Sequence, residues 1–422
     1  MLSIGDVVPL TIDKPAAGGR MIARADRLVV LVSGVIPGER VRARIERMGK
    51  GVVFAAAMDI EAASPDRRPA AGDPLCGGCL YAHIAYPRQL ELKSQVIADA
   101  FARIAHLELP APVRVVPSPE DGYRMRARLH VRDRLVGFFR EGTHEVCDAR
   151  QTRQLLPATL DAVDRLVAGM KSLSLESIRE IELAENLDAS HRVVHLDAAA
   201  ALDVRSLERL ASTVGLTGVS SPSGTHGDVR VRDAIVVDGH PPILLERHVL
   251  AFFQGNRYLV NQLVGRVMNA VPVESDVLDL YAGVGLFAVP ACAARGARVT
   301  AVEGDRIAAS DLRANAAQTD GALRPIHRSV EEFLGDDSGP DPHHSSAAII
   351  VDPPRTGMSR EALDATCRLR AGRLIYVSCD VATLARDARR LVDSGYRIAE
   401  ADAFDLFPNT PHVETVVVFD RT

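Results

Sequence analysis

The sequence predicts an α/β protein in three parts. A small N-terminal β-barrel comes first, then a mixed α+β middle, then a Rossmann-like, doubly wound and mostly parallel sheet. Three observations carry this. Up to about Glu61 apolar and polar residues alternate between Gly and Pro turns. From about His248 strand-length apolar runs alternate with helical stretches. A chain of 422 residues also has room for two or three domains of roughly 100–200 residues each. The expected domains are 1–61, 62–247 and 248–422.

Hydrophobic residues make up 47% and charged residues 25% of the chain, enough for a sizeable core. The formal net charge of −5 argues against a uniformly basic nucleic-acid binder but leaves room for local basic patches. No apolar run reaches the length of a membrane span, so no membrane association is expected. The start, MLSIGDVVPLTIDKP, lacks the pattern of a signal peptide. Six scattered cysteines do not make a disulfide framework, so a reducing cytoplasm is expected.

In the first part, DVVPLTI, RLVVLVSGVIPGERVRARI and GVVFAAAMDI read as short barrel strands, with Gly18-Gly19 and Pro37-Gly38 as tight turns. Arg40, Arg42 and Arg44 fall on one strand face, with Arg47 nearby. They form either a phosphate-contacting stripe or a solvated strand face. A Pro-rich linker, SPDRRPAAGDP, precedes CGGCLYAHIAY. The segment 88–107 then reads as an amphipathic helix with Leu90, Ile97, Phe101 and Ile104 near one face, expected to pack on the last domain. In the middle part, YRMRARLHVRDR sets Arg124, Arg126 and Arg128 on one strand face beside Tyr123, with Arg132 and Arg134 following; such a face suits a nucleic-acid backbone. The segment around Asp336 to Ser346 reads as a surface loop.

The last part offers strands at DVLDLYAG, ARVTAVEG, RPIHRSV, AAIIVDPP, RLIYVSCD, YRIAEADAF and ETVVVFD, the final two forming a hairpin-like pair. In such sheets ligands bind beyond the carboxyl ends of the strands. The first strand runs into Tyr281-Ala282-Gly283-Val284-Gly285, and the second ends at Glu303, about 20 positions later. A Gly-rich turn that admits a ligand, with an acidic residue placed for ribose hydroxyls, points to a nucleoside-containing cofactor. Nicotinamide enzymes share that pair; the terminal antiparallel pair and the Asp-Pro-Pro turn favour S-adenosylmethionine.

Asp352-Pro353-Pro354-Arg355 makes a rigid turn at one strand end, Ser378-Cys379-Asp380 closes the next, and Glu414 opens the last. Taken alone, Cys379 reads as a small buried hydrophobe and Glu414 as a solvated edge carboxylate. Together they suit one reaction. A thiolate adds to carbon-6 of a uracil, carbon-5 then takes a methyl group, and a base removes the carbon-5 proton so that the thiolate leaves. The target base must leave its stack to reach such a site. Amino-group methyltransferases place an aromatic residue where Arg355 stands, and cytosine-C5 RNA enzymes usually pair two cysteines. A non-catalytic RNA-binding or chaperone-like protein on the same scaffold is the alternative from another class.

With AFFQGNRYLVNQLV, DLYAGVG, VEGD, DPPRTGM, YVSCDVATLARDARRL and PHVETVVVF, the chain resembles the RNA 5-methyluridine (uracil-C5) methyltransferase family. GDVVPLTIDKPAAGGRMIAR and VSGVIPGERVRARI resemble its TRAM RNA-binding barrel. The resemblance implies a class I S-adenosylmethionine methyltransferase fold with Cys379 as nucleophile and Glu414 as general base. It implies Gln254, Tyr281, Gly283, Gly285, Glu303 and Asp352 around the cofactor. It implies Asp352 and Arg355 near the target base, and Arg42 and Arg126 as RNA contacts. Leu286 stands where the family often has a polar residue. Barrel-bearing members commonly hold an iron–sulfur cluster on four cysteines. Here Cys76 and Cys79 keep the CGGC core, but Ala70 and Thr152 occupy the other two positions and Cys147 is displaced. Two ligands do not hold a cubane, so no metal is expected and the loop reads as a remnant with free thiols. The expected partner is RNA, ribosomal RNA favoured over tRNA, with no obligate protein partner.

Overall fold

The computed structural model describes residues 2–25, 27–70, 72–132, 135–175, 177–336 and 346–422. Most of the expected loop around Asp336 to Ser346, and Arg134, lie outside the described residues.

Alternation builds the barrel. β1 (Val7–Pro15), β2 (Met21–Ala25), β3 (Leu28–Ser33), β4 (Arg40–Met48) and β5 (Val52–Ala62) close in the order β1-β2-β3-β5-β4, with only β3 and β5 parallel. Val41, Ala43 and Ile45 point inward and Arg40, Arg42 and Arg44 outward. Among the described residues none of these three arginines makes an ion pair. The Gly18-Gly19 turn has φ of 87° and 95°, a left-handed backbone that glycine adopts at least cost. Tyr81, Ile84 and Leu92 complete the barrel core. Leu92 belongs to α1 (Tyr86–Ala100), which also sends Val96 and Ile97 into the core of the last domain.

After β6 (Arg114–Val116) come β7 (Arg126–Arg132), β8 (Leu135–Phe139), β9 (Val146–Asp148), α2 (Ala149–Thr152), α3 (Pro157–Ser172), β10 (Ile178–Glu185), β11 (Arg192–Ala198), α4 (Val204–Val214), β12 (Gly218–Ser221) and β13 (Gly224–Gly227). The middle sheet runs β13-β12-β11-β10-β7-β8-β9. Helices α3 and α4 cover one face, where Leu166, Leu207 and Leu210 meet Leu129, Ile181, Leu183 and Val194. The other face carries the arginines of β7, the face that suits a nucleic-acid backbone. Antiparallel pairing sets Glu182 opposite Arg128. Its carboxylate accepts from Arg128 Nε at 2.5 Å and lies 3.7 Å from Arg126, so both charges are met within the fold. A second tight register gives a stability prediction. A Cβ on Gly137 would stand 1.8 Å from the Cys147 carbonyl oxygen, which is backbone. Gly137→Ala is expected to lose about 3 kcal/mol, the upper end for overpacking, read as a lower urea midpoint; an unchanged midpoint would refute the close approach.

The cysteine loop departs from expectation. Cys76 and Cys147 form a disulfide across a Cα–Cα distance of 5.8 Å, so these are not free thiols. A bridge pairing of Cys76 with Arg140 and the pairing of Cys147 with Phe138 bring the two together. The Cys79 thiol stays free and buried beside them.

A two-stranded ribbon, β14 (Arg230–Ile235) and β15 (Ile243–His248), leads to α5 (Val260–Ala270) and the last sheet. That sheet is built from β16 (Asp276–Leu280), α6 (Ala288–Arg295), β17 (Arg298–Glu303), α7 (Arg306–Ala316), β18 (Leu323–His327), α8 (Val330–Gly335), β19 (Ala348–Val351), α9 (Arg360–Leu369), β20 (Arg373–Ser378), α10 (Val381–Asp393), β21 (Tyr396–Phe404) and β22 (Glu414–Arg421). Its order is β18-β17-β16-β19-β20-β22-β21-β6. β16 to β20 are parallel and β22 runs antiparallel between β20 and β21. The eighth strand, β6, comes from the middle of the chain and was not anticipated. The strand order reverses between β16 and β19, which opens a crevice at their carboxyl ends. Among the described residues no helix is long and apolar enough to cross a membrane.

Candidate active site

The crevice begins at the turn after β16. Tyr281 has φ of 62°, an uncommon conformation for a residue with a Cβ. Gly285, at φ 95°, packs so closely that a Cβ would meet Leu312 at 3.0 Å. Gly283, at φ 57°, has open space where its Cβ would be. Glu303 Oε2 accepts the Gly283 N–H at 2.7 Å, and Oε1 accepts the Asp305 N–H at 2.6 Å. Parallel pairing of Leu280 with Val302 sets the two strand ends side by side. The open glycine and the carboxylate beside it form a cradle that fits a nucleoside.

Asp279 lies beneath this turn, fully buried, and neither oxygen has a hydrogen-bond partner of normal geometry. Burial, then the charges of Asp352 and Glu303, hold its carboxyl well above the usual range. A raised folded-state pKa favours folding below the unfolded value, about 3.9, and that contribution is lost as pH rises toward the folded-state value. Asp279→Asn removes this slope. Its stability relative to the parent is expected to grow by up to about 1.4 kcal/mol per pH unit above pH ~4; parallel stability curves from denaturant titrations would reject the assignment.

Across the crevice, burial pushes Asp352 up to about 7, opposed by a hydrogen bond from Gln254 Nε2 at 3.4 Å. The Gln254 loop is pinned by Asn256. Its Nδ2 donates to Ser118 Oγ at 2.9 Å and to the Leu406 carbonyl at 3.0 Å, while Oδ1 accepts from the Tyr258 amide at 2.9 Å. That ties it to the loop leading to Glu414.

Cys379 sits between the end of β20 and the start of α10. Asp380 caps that helix, its Oδ1 accepting from Ala382 and Thr383 amides at 3.0 and 2.9 Å. Thr383 Oγ1 donates to the Arg355 carbonyl at 3.2 Å, joining the Asp-Pro-Pro turn to the same helix end. Burial, then the Glu414 charge, push the Cys379 thiol up to about 12, while Arg355 pulls it down. Glu414 is buried, its Oε1 lacks a hydrogen-bond partner, and burial and Asp352 raise its carboxyl well above the usual range against the pull of Arg355. One guanidinium, that of Arg355, therefore acts on both the thiol and the Glu414 carboxyl.

Of the expected residues, Gln254, Asp352, Arg355, Cys379 and Glu414 come together here. Gly283, Gly285 and Glu303 form a second group, linked to the first through Asp279. Tyr281 faces a neighbouring cavity of about 770 Å³ with Glu331, Pro354, Met358 and Arg386, and none of Cys379, Asp352 or Glu414 lines that cavity. Leu286 is buried in the core. Arg42 belongs to the barrel, and Arg126 is paired with Glu182. Asp279 and Asn256 carry no role in the sequence reading, and Arg124 and His412 enter it only within an arginine-bearing strand face and a strand-opening motif. An acid inside the apolar run DVLDL is the signal that marks Asp279, and Asn256 stands in AFFQGNRYLVNQLV two residues after Gln254.

A family model described as tRNA (Uracil-5-)-methyltransferase matches residues 341–422, and one for the TRAM domain matches residues 2–58. The chain is 32% identical to the 23S rRNA (uracil(1939)-C(5))-methyltransferase RlmD of Methylococcus capsulatus, over 97% of this chain and 96% of that protein. It is 33% identical to the protein of the same name from Pseudomonas entomophila, over 99% and 95%. Among solved structures it is similar to the Pyrococcus abyssi tRNA (uracil-54, C5)-methyltransferase in complex with S-adenosyl-L-homocysteine. The TM-score is 0.76 at 25% identity, covering 97% of this chain and 99% of that one.

Proposed function

The chain belongs to the RNA uracil-C5-methyltransferase family, and from that premise we propose that Cys379 and Glu414 convert a flipped-out uridine of large-subunit ribosomal RNA to 5-methyluridine in the cytoplasm. The observation that carries this is Cys379 beside Glu414, Asp352 and Arg355, where the carboxyl ends of β19 and β20 meet the amino end of the antiparallel β22. Bound S-adenosylmethionine supplies the methyl group that carbon-5 takes and a sulfonium charge that favours ionised neighbours. Gly283, Gly285 and Glu303 would hold its nucleoside, and Gln254 and Asp352 would complete the cofactor site. The Cys379 thiolate adds to carbon-6, breaking the carbon-5–carbon-6 double bond and leaving an enolate. After carbon-5 is methylated, Glu414 takes its proton, the double bond re-forms and the thiolate leaves with its electron pair.

Relatives named for 23S rRNA match along almost the whole chain, which favours ribosomal RNA over tRNA as substrate. The test supplies methyl-labelled S-adenosylmethionine and total RNA, then digests each RNA class to nucleosides. Label in 5-methyluridine of 23S-type RNA is expected. Label confined to tRNA would move the substrate; label in any other nucleoside would overturn the reaction.

A further inference from the structure

The mouth of the cleft holds two guanidiniums, Arg124 and Arg355, that make no ion pair with a carboxylate among the described residues. Arg124 lies between two rings, its guanidinium carbon 5.1 Å from the Phe138 centroid and 5.5 Å from that of Phe407. Its Nε donates to the Arg126 carbonyl at 3.0 Å and its Nη1 to Gln154 Oε1. A bridge pairing with Asn256 fixes its backbone to the Gln254 loop. Every one of these partners is uncharged, whereas Arg126 and Arg128 beside it share Glu182. Arg355 is exposed, and among the described residues it too makes no ion pair with a carboxylate. Arg124 feels the charge of Arg355, and His412 feels both. The His412 ring stands edge-on to Phe407 with centroids 6.2 Å apart, and among the described residues it makes no hydrogen bond. The remaining charged groups near His412 are committed elsewhere: Lys93 to Asp405 at 2.5 Å, and Asp380 to the cap of α10.

Arg124, held on neutral partners, and the exposed Arg355 stand around an unbonded imidazole and leave an anion's place open. The planar fork of arginine suits a phosphate better than any other biological anion except a carboxylate. We propose that Arg124, Arg355 and His412 clamp one phosphodiester of the RNA strand beside the reacting uridine, holding the extruded nucleotide by its backbone while Cys379 engages its base. This rests on the proposed reaction, since it takes RNA as the occupant. The rings of Phe138 and Phe407 keep Arg124 from swinging into solvent, so little side-chain entropy is lost when the phosphate arrives.

The test takes the tightest-binding fragment of large-subunit ribosomal RNA and replaces its phosphates one at a time with uncharged methylphosphonates. Binding to the wild-type protein is expected to weaken about tenfold at one linkage, the loss of a charge-assisted contact. Arg124→Gln is expected to weaken binding of the unmodified fragment by about the same factor, to show no further loss at that linkage, and to lower the slope of log Kd against log salt by about 0.7. Arg355→Gln, at an exposed position, repeats the measurement should the Arg124 variant fail to fold. Losses that simply add at every linkage, in both variants, would overturn the clamp. Methyl transfer that fails while this coupling persists would strike the proposed reaction instead; methyl transfer that succeeds without coupling would strike the clamp alone.

Discussion

Cys379→Ala is expected to lose methyl transfer by more than about 10⁴-fold, as removal of a covalent nucleophile does, while cofactor and RNA binding stay near wild type. The side chain is small and at a strand end, so its loss leaves only a slight cavity and the unfolding midpoint should hold. With 5-fluorouridine RNA the wild-type protein should form an adduct stable in a denaturing gel, because fluorine at carbon-5 cannot be removed as a proton; the variant should form none. Cys292 is buried in the core and Cys367 lies on α9, so neither can substitute. The wild-type kcat/KM should rise with pH. The Cys379 thiol stands near 12 in the free protein, so between pH 6 and 9 the thiolate fraction increases up to about tenfold per unit. The kcat profile should be flatter, because the sulfonium charge in the bound complex favours the thiolate. A Cys379→Ala protein that still makes 5-methyluridine would end the covalent reading.

What the sequence made legible follows from periodicity. The inward Val41, Ala43 and Ile45 and outward arginines of β4 need only alternation. The strands from β16 to β22 need only apolar runs and their turns. The pairings that decide function were less visible because they join distant segments. Arg126 looked free along its own strand; Glu182, which meets it, lies on β10. Arg124 looked like its neighbour, yet Phe407 comes from the loop before Glu414. Cys147 seemed displaced in sequence, but the β8–β9 hairpin carries it to Cys76. β6 is only three residues long and joins the sheet edge by pairing with β21, a contact no local pattern marks. The chemical cluster was legible for the opposite reason: Asp352, Cys379 and Glu414 each stand at or just beyond a strand end, and the sheet order alone gathers them.

Glu414→Gln should stall the reaction rather than prevent it. Gln keeps the volume and removes the base, so thiolate addition and methylation still proceed and the carbon-5 proton stays. The expected result is a protein–RNA adduct on natural, unfluorinated RNA that carries the methyl label, with turnover down about 10²–10⁴-fold, the usual contribution of a general base. Asp352 is the rival for this role, since its carboxyl lies near 7 and would be the better-tuned base by that criterion alone. Position favours Glu414. After burial it is the strongest influence on the Cys379 thiol, ahead of Asp352, and its Oε1 is left without a hydrogen bond. Asp352 instead accepts from Gln254 and belongs with the cofactor-holding group. Asp352→Asn should therefore weaken cofactor binding without accumulating adduct. If Asp352→Asn accumulates the methylated adduct and Glu414→Gln releases product freely, the two roles are exchanged, and the proton leaves on the cofactor side of the ring.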